Sequence, residues 1–462
     1  MTSFLLTYLP WNAPRAHSHA TRRKPPAFAA REVRLPAESL AHSLYLAAQC
    51  VQGVRTGKTL PAMMTELQQQ ARPAWVASTR GAVRDLAANA LRDYARGDAL
   101  IARFVQKPLP ELLHCALLCA IPRLWSAPEH AYTTVHQTVT LAEALLPPVK
   151  GVVNAVLRRV QREEAELRAW LDEQETTRYA FPQWWIDTLR QDYPEHWQAI
   201  LAACQGKPPM SLRINRRKTD ETAACAALEE AGMTHTRQPN GAILLHEPRP
   251  VERIPHFFDG WFSVQDAGAQ YAAQLLDVHD GQRVLDACAA PGGKAAHLLE
   301  RADIHLTALE ADAARAEAIA PQFDRLGLRA EKILTADARR PETWWDGQPF
   351  ARILADVPCS ASGVVRRNPD SKWLRRADDL RNFTAQQAAI LRALWRTLAS
   401  GGKLLYATCS LFACENRAQI EDFCRNHRDA VQLPLEGFPA ADGQLFPATG
   451  QDGFFYALLQ KA

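Results

Sequence analysis

The sequence predicts a multidomain protein, with an all-α domain at the amino terminus and an α/β domain with a doubly wound parallel sheet at the carboxyl terminus. Two observations predict this fold class. Apolar residues recur at helical spacing through the first third of the chain, with prolines between the groups. Beyond residue 266, short apolar runs alternate with helical segments, and polar residues follow the runs, as expected for parallel strands joined by helices.

The composition of the 462-residue chain is that of an ordinary soluble protein of two to four domains, with 47% hydrophobic and 23% charged residues. No apolar run approaches the roughly 20 residues of a membrane span, and the start does not resemble a signal peptide. The 10 cysteines show no paired spacing typical of zinc sites. We therefore expect a reduced cytoplasmic protein without a membrane segment or a metal site.

Charge is unevenly distributed along the chain. Residues 1–170 contain 21 Lys and Arg against 12 Asp and Glu, a net charge of +9, whereas the remaining residues carry a net charge of −5. This asymmetry indicates a module that binds a polyanion, followed by a catalytic module. A solvated basic surface explains the charge alone equally well.

The front of the chain is predicted to contain a flexible basic tail, residues 1–34, and a helical domain, residues 35–170. The tail combines four prolines with the basic run Arg22-Arg23-Lys24. Six to seven helices are expected, with breaks at Pro108, Pro122, Pro128 and Pro147-Pro148. The apolar positions form three groups at helical spacing: Leu40, Leu44, Ala47, Val51 and Val54; Val83, Leu86, Ala90 and Tyr94; Leu109, Leu112, Leu113 and Leu117.

The last helices of this domain have its most specific sequence. It contains His-Gln-Thr-Val-Thr-Leu-Ala-Glu at residues 136–143 and Lys-Gly-Val-Val-Asn-Ala-Val-Leu-Arg-Arg at residues 150–159. This segment resembles the closing helices of the NusB-like RNA-binding domain. Helical spacing places Val152, Val156 and Val160 in the core, while Arg158 and Arg159 are expected to face RNA or solvent.

Residues 171–265 are predicted to form a small α/β subdomain that acts as an RNA-binding adaptor. Short helices begin it, around Trp184-Trp185 and Trp197. Residues 208–215 then alternate like a strand, residues 223–231 have a helical pattern, and residues 242–245 have the pattern of a second strand.

A glycine loop indicates where a ligand binds. Two apolar residues lead into Asp286, and the loop Cys288–Lys294 opens a helix. Gly292 and Gly293 let a ligand approach the backbone closely, next to unpaired N–H groups of the helix start. The glycine patterns of phosphate-binding and dinucleotide-binding loops are absent. Glu310 lies near the ~20-residue offset of an acid that binds ribose, so a nucleoside without a diphosphate fits best, with S-adenosylmethionine as the obvious candidate.

The predicted catalytic domain, residues 266–462, begins with a helix at residues 267–276 and continues the α/β alternation. Further helices are expected at residues 313–326, interrupted at Pro321, and at residues 385–398, capped by Ser400-Gly401-Gly402. Strands are expected at residues 304–309, 333–334, 352–355, 403–407 and 454–459, the last closing the sheet. Asp337, Asp356 and Cys409 follow three of these strands, at the edge where an open parallel sheet binds ligands.

Two strand ends present a cysteine, Cys359 and Cys409. A single cysteine is by default a buried inert residue, but two in matching positions beside a predicted cofactor site favour chemistry. Methylation at C5 of a pyrimidine requires a thiolate that adds at C6, which makes C5 nucleophilic enough to take the methyl group. An acid near N3 favours the adduct, and Asp356 is suited to this role. A second group must then help to resolve the adduct.

Four motifs resemble a known family: Cys-Ala-Ala-Pro-Gly-Gly-Lys, Asp-x-Pro-Cys-Ser, Arg-Arg-Asn-Pro-Asp-x-Lys-Trp and Ala-Thr-Cys-Ser, which span about residues 205–462. The chain is identified as a member of the RsmB/Sun family of RNA 5-methylcytosine methyltransferases. With its NusB-like front, the resemblance implies an enzyme that methylates one cytosine of 16S rRNA, and we expect a monomer. It implies that Cys409 is the nucleophile and that Cys359 helps to release the product. The implied contacts to S-adenosylmethionine are Cys288, Ala289, Ala290, Pro291, Gly292, Gly293, Lys294, Glu310, Asp337 and Asp356.

Three departures from the family pattern leave the catalytic groups in place. Glu310 stands where an Asp is usual, and Val357 replaces a usual Ala. Residues 360–363, Ser-Ala-Ser-Gly, are a variant of the common Ser-Gly-x-Gly.

Several alternatives stay open. The same chemistry could act on tRNA or 23S rRNA. A NusB-like RNA-binding factor with a vestigial methyltransferase domain is expected to lack Cys409 or Asp356, and both are present. A DNA cytosine methyltransferase uses the Pro-Cys motif alone, and an N- or O-methyltransferase has no use for paired cysteines.

Overall fold

The structure is a computed structural model that describes residues 35–71 and 75–462. The predicted tail, residues 1–34, lies outside the described residues. The chain divides into two compact units. The helical unit contains the described residues up to Asp187 together with residues 368–376, and the α/β unit contains residues 188–367 and 377–462. Among the described helices, none is both long and apolar enough to cross a membrane.

The helical unit is built around α1, which packs against α2, α3, α5 and α6. Ser39 caps α1 by accepting a hydrogen bond from the His42 N–H, and Thr59 caps α2 in the same way. Its helices are α1 (Leu40–Arg55), α2 (Leu60–Gln70), α3 (Ala77–Arg92), α4 (Tyr94–Phe104), α5 (Glu111–Ser126), α6 (Ala131–Leu145), α7 (Lys150–Arg162), α8 (Glu164–Leu171) and α9 (Glu175–Arg178).

Three predictions for this unit were wrong in detail. The described residues of the predicted helical domain form eight helices, α1–α8, and not six to seven, because the backbone leaves helical geometry at Asp93 and Glu163. Pro122 does not break the chain but lies inside α5, a helix buried along most of its length, so that packing compensates for the missing N–H. Val152 is 41% exposed, since α7 turns Val153, Val156, Leu157 and Val160 inward instead.

The α/β unit begins with a small antiparallel sheet of strand order β2-β3-β1-β4. These strands are β1 (Met210–Ile214), β2 (His235–Arg237), β3 (Ile243–Leu245) and β4 (Phe262–Val264). The helices of this part are α10 (Gln183–Asp192), in which the unit boundary falls, α11 (Trp197–Ala203) and α12 (Glu221–Glu230).

The main sheet has the strand order β10-β12-β9-β8-β5-β6-β7, with β11 paired to β12. Neighbours from β5 to β9 are parallel, whereas β12 runs antiparallel to β9 and β10. The central β5 pairs with β6 on one side and β8 on the other. Strands β6 and β7 are therefore added on one side of β5, and β8 and β9 on the other. The strands are β5 (Arg283–Asp286), β6 (His305–Glu310), β7 (Lys332–Thr335), β8 (Phe350–Asp356), β9 (Leu398–Thr408), β10 (Ala430–Leu433), β11 (Gln444–Leu445) and β12 (Phe454–Lys461).

The remaining helices are α13 (Ala267–Leu276), α14 (Gly293–Arg301), α15 (Ala313–Ala316), α16 (Ile319–Leu326), α17 (Ser371–Leu374), α18 (Asp379–Trp395) and α19 (Arg417–Asn426). The break predicted at Pro321 lies earlier, between α15 and α16, because Pro321 occupies the first turn of α16, where no N–H is needed. Residues 400–402 lie inside β9 and do not cap α18. Strand β12 does not close the sheet, since β10 pairs with its outer side.

The segment 368–376 leaves the α/β unit along the chain and completes the helical unit. Trp373 is buried in the core of the helical unit and donates its indole N–H to the Leu91 carbonyl at 2.6 Å. The Lys372 ammonium donates to the carbonyls of Arg92 and Ala180, each at 2.9 Å. The Asp370 carboxylate accepts the N–H of Leu60, the first residue of α2. The helical unit therefore needs residues from two distant parts of the sequence.

Candidate active site

The parallel order of β6, β5, β8 and β9 brings their carboxyl ends to one edge of the main sheet. Strands β5, β6 and β8 end in Asp286, Glu310 and Asp356, and Cys409 follows directly after β9. The predicted glycine loop, residues 288–294, connects β5 to α14 at the same edge. Most of the predicted site residues therefore lie together, as expected for an open α/β sheet.

Gly292 gives the glycine loop its shape. It adopts a left-handed conformation, with φ of +97°, and precedes the first residue of α14. A side chain would be strained in this conformation, so glycine is required here. The next glycine, Gly293, leaves open space, since a Cβ placed there would meet only Gln265, at 3.9 Å. This open backbone beside a helix start suits a ligand that approaches closely.

Glu310 is nearly buried and holds the glycine loop. Its Oε2 accepts the Ala290 N–H at 3.3 Å, and its Oε1 accepts the Asp312 N–H at 3.1 Å. Arg315 also joins Glu310 to the glycine loop, because its guanidinium contacts Oε1 of Glu310 and donates to the Ala290 carbonyl at 2.9 Å. Arg315 was missed from the sequence, where an arginine in a short helix has no distinguishing pattern.

Asp286, the last residue of β5, was also not predicted as a site residue. Burial, followed by the charge of Asp356, raises the pKa of its carboxyl group to about 7. Its Oδ1 accepts the Cys288 N–H, whereas its buried Oδ2 has no hydrogen-bond partner in the part of the chain that the structure describes. A buried carboxyl oxygen without a partner indicates room for a polar or cationic group of a ligand.

Lys294 and Asp356 form an ion pair across the edge, with Nζ and Oδ2 2.6 Å apart. Burial alone would lower the pKa of Lys294, but the charges of Asp356, Cys409 and Asp286 raise it. The ammonium therefore stays protonated between two carboxyl groups and one cysteine.

Asp337 lies just after β7 and is held by its neighbour Arg339. The Asp337 carboxylate accepts hydrogen bonds from the backbone N–H and the guanidinium of Arg339, which lower its pKa. The predicted cofactor contacts of Asp337, and of the half-buried Cys288, stay predictions. Burial raises the pKa of Cys288 well above its ordinary value, so this residue is a neutral thiol.

The two cysteines lie on two neighbouring loops, which we call the Cys359 loop (residues 356–363) and the Cys409 loop (residues 408–415). Their sulfur atoms are 3.4 Å apart. The Gly363 N–H donates to the Cys409 carbonyl at 2.8 Å, and a Cβ on Gly363 would lie 2.2 Å from the Gly453 carbonyl oxygen. Only glycine fits at this crossing of the backbones.

The two sulfur atoms have different surroundings. The hydrogen bond to Cys409, together with burial, raises the pKa of Cys359 well above its ordinary value, and the charge of Glu415 adds to the effect. Cys359 is therefore a thiol that shares a hydrogen bond with Cys409, in which either sulfur atom can donate. Cys409 is instead among the groups whose negative charge raises the pKa of the Lys294 ammonium.

Arg213 connects the small sheet to the glycine loop and was likewise missed. It is buried on β1, where its guanidinium pairs with Glu300 of α14 at 2.7 Å. It also donates to the Gly293 carbonyl at 2.8 Å. Through these two contacts, Arg213 holds α14 in place.

The fold and this edge define a class of protein, the Rossmann-like methyltransferases. Their sheet contains an antiparallel strand at the position of β12, and they bind S-adenosylmethionine at a loop such as residues 288–294, with an acid at the end of the next strand. The open glycine backbone, the Glu310 carboxylate and the unpartnered Asp286 oxygen fit this cofactor.

Comparison with known proteins identifies the family. The model of the 16S rRNA methyltransferase RsmB/F matches residues 273–460, the RsmF/B-like ferredoxin-like domain matches residues 181–252, and the NusB family matches residues 44–162. The ribosomal RNA small subunit methyltransferase B of Pseudomonas putida is 40% identical over 433 residues, covering 90% of this chain and 97% of that protein. The protein of the same name from Vibrio cholerae is 39% identical over 419 residues, covering 89% and 95%.

The chain therefore belongs to the RsmB family of ribosomal RNA methyltransferases, and the resemblance deduced from its motifs is confirmed. Its cofactor is S-adenosylmethionine. The crystal structure of PH0851 shares the fold, with a TM-score of 0.73 and 22% identity over 93% of this chain and 100% of that one. The predicted fold class, a NusB-like helical domain followed by a Rossmann-like catalytic domain, is confirmed.

Proposed function

We propose that the enzyme forms 5-methylcytosine in RNA through a covalent adduct between Cys409 and C6 of the cytosine. The observation that carries the proposal is the pair of cysteine sulfur atoms, 3.4 Å apart, at the ends of neighbouring strands. Methylation at a nitrogen or oxygen atom needs no thiolate, whereas an unactivated C5 cannot attack a sulfonium methyl group.

The surroundings of the two thiols support Cys409 as the nucleophile. The active form is the thiolate, which a nearby cation stabilises. Cys409 is one of the groups whose charge raises the pKa of the Lys294 ammonium, while the raised pKa of Cys359 keeps Cys359 protonated. We assign to Asp356 the role of the acid near N3 of the cytosine, to which the paired Lys294 ammonium can supply the proton.

The reaction balances with these groups. The Cys409 thiolate adds to C6, and the electron pair displaced to C5 attacks the methyl group that S-adenosylmethionine supplies. Release requires the C5 proton to leave and the C6–S bond to break. In one concerted step Cys359 passes its S–H proton to the departing Cys409 sulfur and takes the C5 proton, whose C–H electron pair forms the C5–C6 double bond.

The target that we infer is one cytosine of 16S rRNA. The relatives of 38–41% identity are named ribosomal RNA small subunit methyltransferase B, and the front residues 1–170 carry a net charge of +9 suited to RNA phosphates. We expect such an enzyme to act in the cytoplasm as a monomer. The target cytosine should be unpaired, because the base must leave its stack to be reached.

Two substitutions test the chemistry, with an unmodified 16S rRNA transcript and S-adenosylmethionine as substrates. The Cys409→Ala variant should neither methylate the RNA nor form an adduct. The Cys359→Ala variant should form the adduct but resolve it slowly, so that a protein–RNA species accumulates on a denaturing gel. The Cys225→Ala variant, at a half-buried cysteine of α12, is the matched control and should behave like the wild type.

Two results would contradict the proposal. If the adduct forms with Cys409→Ala and disappears with Cys359→Ala, the roles of the cysteines are reversed. If bisulfite sequencing of total RNA from a deletion strain shows the lost 5-methylcytosine in tRNA or 23S rRNA, the target is wrong although the chemistry stands.

A further inference from the structure

A fully buried carboxylate lies beneath the two cysteines. Glu415 has no exposed surface and ends the short turn Ala413–Glu415 that follows the Cys409 strand end. Its Oε2 accepts the Ser360 hydroxyl at 2.6 Å and the Ser410 hydroxyl at 2.5 Å. Its Oε1 accepts the Ser360 N–H at 2.9 Å and the Gln387 side-chain N–H at 3.0 Å. These donors are all uncharged.

Two serines connect Glu415 to the cysteines. Ser360 directly follows Cys359, and Ser410 directly follows Cys409. One oxygen of Glu415 therefore binds both loops at the residue next to the sulfur atom. The serine hydroxyls are themselves 3.2 Å apart, close to the 3.4 Å that separates the sulfur atoms.

Further hydrogen bonds join the same two loops. Ser362 accepts the Leu411 N–H at 2.7 Å and lies 3.0 Å from the Ser410 hydroxyl. Within the Cys409 loop, the Phe412 N–H donates to the Ser410 hydroxyl at 3.0 Å. The loops are thus connected through three serine side chains, of which Ser360 and Ser410 bind Glu415.

Both side-chain oxygen atoms of Glu415 accept hydrogen bonds, so this position requires an acceptor at each of them. A glutamine could accept at one oxygen only, since its NH2 group would face a donor.

We propose that Glu415 is a positioning residue that holds Cys359 and Cys409 in register, with Ser410 setting the nucleophile and Ser360 setting the thiol that resolves the adduct. This inference rests on the proposed division of labour between the two cysteines. Glu415 touches neither sulfur through a hydrogen bond and acts through the two serines.

The experiment separates the two halves of this arrangement. Ser410→Ala removes one hydrogen bond to Glu415 from the Cys409 loop and should slow adduct formation about tenfold or more, with no accumulation of adduct. Ser360→Ala removes the corresponding bond from the Cys359 loop and should slow resolution, so that the adduct accumulates. Glu415→Gln should slow both steps. All three variants should keep the wild-type affinity for S-adenosylmethionine by calorimetry, because none of them alters the glycine loop.

Thr397→Val provides the matched control. Thr397 is fully buried just before β9, and its hydroxyl donates to the Leu394 carbonyl at 2.8 Å, so its loss removes a buried hydrogen bond away from the cysteines. This variant should be destabilised to a similar extent and yet methylate RNA at the wild-type rate. Should Glu415→Gln fail to fold, the two serine variants still test the inference.

The possible failures are distinguishable. If Cys409→Ala still methylates the RNA, the proposed function is wrong. If the cysteine variants behave as proposed but Ser360→Ala and Ser410→Ala show the same kinetic defect, or none, then Glu415 is a structural residue only and the inference is overturned.

Discussion

The Cys359 loop and the Cys409 loop each follow a parallel strand and each place a serine after the cysteine, and both serines bind Glu415. Their electrostatic surroundings nevertheless differ. The hydrogen bond to Cys409 and burial, followed by the charge of Glu415, raise the pKa of Cys359, whereas the charge of Cys409 contributes to the raised pKa of Lys294. The two loops thus share one support, which binds each of them at the serine next to the sulfur, while the charges around the two sulfur atoms differ.

Replacing Lys294 should have the largest effect on this difference. Lys294→Met removes the cation beside Cys409 and leaves Asp356 without its partner. We expect the rate of adduct formation to fall about 10²- to 10³-fold, as when a single electrostatic group is removed from an active site. Single-turnover kinetics with RNA and S-adenosylmethionine measure the rate. Lys294→Arg, which keeps the charge, should retain more activity, and a wild-type rate for Lys294→Met would contradict the assignment.

A smaller effect should appear in the pH dependence of cofactor binding. The pKa of Asp286 is about 7 in the folded protein, and the ionised form should favour the positive sulfonium group. Affinity for S-adenosylmethionine should therefore rise up to about tenfold between pH 6 and pH 8, following the ionised fraction of Asp286. Calorimetry across this range measures it. The profile should be flat in Asp286→Asn, and a wild-type profile that falls with pH would refute the idea.

The same group affects stability with a defined sign. Because the folded-state pKa of Asp286 is raised above its ordinary value of 3.8, protonation favours the folded state of the cofactor-free enzyme. This contribution is fully present below about pH 4 and is lost as the pH rises through about 7. Asp286→Asn should reduce the dependence of the melting temperature on pH over this interval.

The smallest effect concerns the backbone of the two loops. Ala361, in the Cys359 loop, has a φ of +61°, in a region that favours glycine, and it stands where the family pattern has glycine. Ala361→Gly should stabilise the α/β unit by up to about 1 kcal/mol. Ala413→Gly, in the Cys409 loop, is the matched control and should destabilise it by about 0.5–1 kcal/mol, because Ala413 lies in an ordinary right-handed turn. Thermal melts of both variants decide the matter, and equal shifts in one direction would contradict it.

Much of the site could be predicted because its residues follow strands directly in sequence. Asp356, Cys359, Cys409 and the glycine loop are local features of strand ends, and a parallel sheet brings such ends together. Residues that act across the fold could not be predicted. Arg315 reaches back 25 residues to the Ala290 carbonyl, and Glu415 meets Ser360 across 55 residues. Neither pairing has a signal in the spacing of the chain.

The fold could be predicted to a similar degree, and the prediction failed for similar reasons where it was wrong. Periodicity identified α13 and strands β5 to β9 and β12 of the main sheet, but it missed β10 and β11. It also misjudged Pro122, because burial along α5 compensates for a missing hydrogen bond. It also gave no indication that residues 368–376 complete the helical unit. The hydrogen bond from the Leu60 N–H to Asp370 spans 310 residues.

That segment has a consequence for the order in which the protein is made. The core of the helical unit includes Trp373, so the unit cannot acquire all of its contacts when Asp187 leaves the ribosome. At about 5–20 residues per second, synthesis of the intervening chain takes roughly 10–40 s. During this interval the nascent helices lack the indole of Trp373 and the ammonium of Lys372, which later donate hydrogen bonds to the carbonyls of Leu91, Arg92 and Ala180. Completion of the helical unit is therefore timed by translation of residues 368–376, which follow the Pro358-Cys359 motif.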